Sequence, residues 1–178
     1  MNKVILILSG DPAGKKIFDG VAKKSSWLWN INARNHLGKV AKDKLFWRNE
    51  RDDVYNRFIA ELFESANKAF NFEENYIKDL LNNKFLADDS DIKTDENGKM
   101  FHNFLFVIHG LSKELVEKLK DEYGAFQLHL TKQEDKSLED RYDFVLYEDH
   151  ENFEQAIESL LWTLTSSGVK EAKNEEIR

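Results

Sequence analysis

The sequence predicts an α/β fold: a parallel sheet with helices on both faces and a long helical insertion after the first helix. Three observations carry this. The run Val4-Ile5-Leu6-Ile7-Leu8 has no polar alternation, so it reads as a strand buried on both faces. It passes through a glycine-bearing turn straight into an amphipathic segment. From Asn103 onward, short apolar strands alternate with helical segments, the pattern that right-handed crossovers wind into a parallel sheet. In such a sheet, ligands bind beyond the carboxyl ends of the strands.

Taken in order, the first strand is Lys3 to Leu8 and the first helix runs from Lys15 to about Lys24, where Ser25-Ser26 interrupt it. Trp27, Leu28 and Trp29 read as core or lid-packing groups. From Arg34 to Asn83 the pattern is helical, with Phe58, Leu62, Phe63, Ala66 and Phe70 spaced to line one face. The insertion spans about 27–86. Residues 87–102 collect Asp88, Asp89, Asp91, Asp95 and Glu96 with Asn97-Gly98, which predicts a mobile acidic loop or hairpin tip. Asn103–His109 is a second strand, Ser112 caps a helix to about Tyr123, and Ala125–Leu130 is a third strand. The charged segment 132–141 is lid-like, Tyr142–Tyr147 is a fourth strand, and His150–Thr165 is an amphipathic helix through Phe153, Ile157, Leu160, Leu161 and Leu164. One domain over residues 1–166 with a charged tail over 167–178 is the expectation.

Bulk properties narrow the function classes. The 178 residues, 41% hydrophobic and 12% aromatic, suffice for one continuous core. A net charge of −7 sets the chain against general affinity for nucleic acid or an anionic membrane, whose phosphates reward clustered cations. The absence of cysteine removes disulfides, thiolate metal sites and cysteine nucleophiles. The leading apolar run is too short for a signal segment or a membrane span. The expectation is a cytoplasmic protein with neither membrane nor nucleic acid as partner.

The turn after the first strand holds the sharpest chemical signal. Ser9-Gly10-Asp11-Pro12-Ala13-Gly14-Lys15-Lys16 stands between strand and helix, where glycines let backbone N–H groups curl around a phosphate and a lysine reaches its outer oxygens. Ser9, Gly10, Asp11, Ala13, Gly14, Lys15 and Lys16 are therefore the candidate phosphate-binding residues. The pattern is altered: Gly10 and Gly14 enclose three residues where four are usual, and Lys16 replaces the hydroxyl that normally ligates Mg²⁺. The plain alternative is a Gly/Pro turn with two solvated lysines. Other constellations are weak. The five histidines lack ligand spacing, so no metal site is expected, and no serine-hydrolase elbow is present. Phe46, Trp27, Trp29 and Trp47 could wall a base-stacking pocket, although core packing is the commoner role of such aromatics.

The order of parts, with Gly10, Gly14 and Lys15 in the loop and the Arg141-Tyr142-Asp143-Phe144-Val145-Leu146 strand before the last helix, resembles the P-loop nucleotide kinases, most of all the phage-type deoxynucleoside monophosphate kinases. The resemblance implies binding of a nucleoside phosphate, with ATP and Mg²⁺ as cofactors and phosphoryl transfer to a (deoxy)nucleoside monophosphate. It implies Lys15 and Arg141 as catalytic cations, with Lys132 and Lys136 beside them in the lid. It makes Arg34, Arg48, Arg51 and Arg57 the acceptor-binding residues, against the plain reading of surface pairs such as Arg57 with Glu61. The altered loop keeps a second reading open: a catalytically inactive, kinase-like pseudoenzyme that works through a protein partner or a homodimer.

Overall fold

The computed structural model describes residues 2–25, 27–45, 53–85 and 103–165. Within them, the residues of Met1–Asn30 and Asp88–Arg178 form one compact unit and those of Ile31–Ala87 another. The expected acidic loop 87–102 and the tail 167–178 lie outside the described residues.

The first unit is a five-stranded parallel sheet in the order β2-β3-β1-β4-β5, so the α/β class expected from the sequence is what the chain adopts. Its strands are β1 (Asn2–Gly10), β2 (Trp27–Ile31), β3 (Asn103–His109), β4 (Phe126–Thr131) and β5 (Phe144–Tyr147). Its helices are α1 (Pro12–Ser25), α5 (Lys113–Tyr123) and α6 (Phe153–Thr165). β1 lies at the centre, as its unbroken apolar run requires: Val4 to Leu8 are all at most 4% exposed. Val4, Leu6 and Leu8 share one face with Leu105, Val107, Leu128 and Leu130, and this face packs against Phe18, Val21 and Ala22 of α1 and Phe153, Ile157, Leu161 and Leu164 of α6. Ile5, Ile7, Phe106 and Ile108, on the other face, are equally buried. The crossover through α1 leads from β1 toward β2 and the one through α5 leads from β3 back across β1 to β4, so right-handed connections set α1 and α5 on opposite faces.

Local signals explain the boundaries. Ser112 caps α5 by accepting the Leu115 N–H at 3.4 Å, and Gly124, at φ 63°, ends it in the left-handed conformation. β5 starts two residues later than expected because the Asp143 carboxylate accepts the Gln127 N–H at 2.8 Å and pairs with Lys120 at 3.0 Å, taking the place of a backbone rung ahead of the Leu128–Phe144 pair. β2 was not expected as a strand; Trp27 to Ile31 joins the sheet at its edge, and Trp29 stacks on Phe106 at 6.5 Å.

The second unit holds the helices of the expected insertion: α2 (Ala33–Leu45), α3 (Asp53–Phe70) and α4 (Phe72–Phe85). Ala41, Tyr55 and Ile59 form its core cluster with Phe58 and Leu62 against them, and the Tyr55 hydroxyl donates to the Gly38 carbonyl at 2.6 Å. Asn71, at φ 48°, turns α3 into α4. Phe70 departs from the expected apolar stripe. It is 74% exposed, because the turn at Asn71 ends the helix face on which it would have been covered.

Among the described residues, no helix is long and apolar enough to cross a membrane.

Candidate functional site at the head of the first helix

The expected phosphate loop is closed up. β1 runs through Gly10 and α1 begins at Pro12, leaving Asp11 as the one residue between them. The helix thus starts three residues earlier than expected, and Ala13, Gly14, Lys15 and Lys16 are helical rather than part of an open turn. The cause is local. Asp is among the strongest N-cap residues and Pro suits the first helical position, so Asp11-Pro12 is itself a helix-start signal. The Asp11 Oδ1 accepts the Ala13 N–H at 2.7 Å, and the Lys15 N–H closes the first turn on the Asp11 carbonyl at 3.1 Å.

Gly10 makes the tight junction possible. Its φ of 103° is open to glycine alone among common residues, and a Cβ there would collide with the Leu130 carbonyl of β4. The Asp11 N–H donates to the same carbonyl at 2.9 Å.

A second carboxylate meets the helix head from β5. The Glu148 N–H donates to the Thr131 carbonyl at 2.8 Å, which continues the β4–β5 pairing, and its side chain lies against Gly14, where a Cβ would strike the carboxylate. The two acids shift in opposite directions. The Ala13 N–H, with Lys132 beside it, holds the Asp11 carboxyl below the ordinary aspartate range. Loss of water contact, and then the negative charge of Asp11, push the Glu148 carboxyl up, against the opposing pull of Lys132 and the Gly14 N–H. Lys132, expected to face a transferring phosphoryl group, instead approaches Asp11 Oδ2 at 3.5 Å.

The carboxyl edge of the sheet carries polar groups on both faces. Ser9 Oγ and His129 Nδ1 are 2.8 Å apart on neighbouring strands, and the imidazole stacks on Tyr142 at 4.5 Å. On β3, His109 Nε2 is 3.3 Å from Asn30 Oδ1, and the Asn30 amide donates to Asp19 Oδ2 at 3.4 Å. Because a carboxylate only accepts, Asn30 turns its NH₂ to Asp19 and its oxygen to His109, which places the imidazole proton on Nε2. Burial lowers the pKa of both rings; Lys15 adds to this for each, while Asp19 opposes it for His109. The Lys15 ammonium makes no hydrogen bond or ion pair among the described residues.

The remaining expected residues are placed as follows, each within its own unit. Arg141 is exposed in the segment before β5, near Asp135, and Lys136 is exposed in a short 3₁₀ turn. Arg34 is exposed on α2, and Arg57 on α3 pairs with Glu61 at 3.1 Å, the ordinary i,i+4 surface pair. Arg48 and Arg51 lie outside the described residues, as do Phe46 and Trp47. Sequence reasoning includes Asp11 among the loop residues but not its role as a cap, which the Asp-Pro pair signals; it does not find Glu148, which arrives from the end of a strand far away in sequence, where nothing local signals it.

No protein-family model matches this chain. No curated protein matches it either.

Proposed function

We propose that this chain is a catalytically inactive scaffold of P-loop kinase type that acts through protein interaction rather than nucleoside triphosphate turnover. One observation carries the reading: the carboxylates of Asp11 and Glu148 stand at the head of α1, where a phosphate would have to lie. Phosphoryl transfer depends on positioning and on neutralising charge, and two carboxyl groups at the phosphate seat work against both. The residues fit ATP with Mg²⁺ poorly on a second count, since Lys16 occupies the position of the metal-ligating hydroxyl. A parallel sheet with the glycine turn on its central strand is compatible with the kinase-like architecture and makes no demand for turnover. Phe70 and Trp162, both more than 70% exposed, are aromatic surface of the kind that protein contacts use.

The Lys15 ammonium, without a partner among the described residues, favours a second reading, an ATP-dependent (deoxy)nucleoside monophosphate kinase. Isothermal titration of ATP and GTP, with and without Mg²⁺, into wild type and Lys15→Ala separates the two. The scaffold reading expects no saturable binding to either protein. Mg²⁺-dependent binding to wild type that Lys15→Ala abolishes would overturn it, and turnover of a monophosphate acceptor by the same protein would then establish the kinase reading.

A further inference from the structure

We draw no further inference here: the strongest candidate, the polar row of Ser9, Lys15, His109 and His129 along the carboxyl edge of β3, β1 and β4, carries nothing because His109 is level with Leu8 and His129 with Ser9, so the pleat sends the two imidazoles to opposite faces of the sheet and no common ligand site is built.

Discussion

Two strand–glycine–helix junctions lie side by side at the carboxyl edge of the sheet, and they are built to different specifications. β1 leads through Gly10 and Asp11 into α1; β3 leads through Gly110, Leu111 and Ser112 into α5. Both glycines have positive φ, 103° and 74°. Gly10 lies against the backbone of Leu130, whereas a Cβ on Gly110 would meet open space. The α1 head receives two carboxylates and approaches a lysine; a single neutral hydroxyl caps α5. The contrast lies in what the chain itself brings to each helix head, carboxylates at α1 and a neutral hydroxyl at α5.

The most severe way to break this comparison is to place a methyl group on each glycine. Gly10→Ala must push the β4 backbone aside as well as hold a strained φ, so a loss above about 4 kcal/mol, or failure to fold, is expected. Gly110→Ala meets only the backbone penalty, about 1 to 2 kcal/mol. Urea denaturation of both variants measures the gap, and equal losses would refute the packing role given to Gly10.

Next in size is the effect of acid on the edge that joins the two junctions. Burial depresses His109 and His129 in the folded state, so the unfolded chain binds protons more readily than the native one below the ordinary histidine value of 6.5. Their contribution to stability is complete above that value and is lost progressively as pH falls from it through the lowered folded values. Melting temperature measured between about pH 5 and 7.5 should therefore rise with pH, and the slope should flatten in the His109→Gln, His129→Gln double variant. An unchanged slope in that variant would assign the effect to other groups.

The caps give a smaller, sharper test. Ser112→Ala should cost about 0.5 to 1 kcal/mol, as for a neutral cap. Asp11→Ala should lower the melting temperature while Asp11→Asn, which caps as well as aspartate does, restores most of it. If Asp11→Asn were as damaging as Asp11→Ala, the charge and its Lys132 partner would matter more than the cap.

The smallest expected effect concerns Glu148. Its folded pKa is raised, so ionising it works against the native state as pH climbs above the ordinary glutamate value of 4.5. Glu148→Gln keeps an oxygen facing Gly14 and removes the repulsion with Asp11. A slight rise in melting temperature at pH 7, absent at pH 4, is the expected result.

Much of this was legible in the chain. β3, α5 and α6 follow from apolar runs, a serine cap and a helical stripe, which are local properties, and β3 falls on its expected residues. β1 announced its central place by lacking polar alternation. β2 was hidden because Trp27-Leu28-Trp29 reads as readily as core filling as strand, and only its neighbour in the sheet settles which. The head of α1 differs from expectation for another reason: the Gly-Lys pattern and the Asp-Pro cap overlap on the same residues and predict different helix starts, and the cap prevails. Glu148 could not be foreseen, since its place against Gly14 depends on β5 lying beside β4.

The Asp143 carboxylate has a consequence for assembly of the sheet. By accepting the Gln127 N–H one step before the first β4–β5 pair, it acts as an indexing pin for the outermost strand. A slip of one residue would turn every side chain of β5 to the wrong face and also detach the pin from both Gln127 and Lys120. β5 is thereby held to a single reading frame on β4.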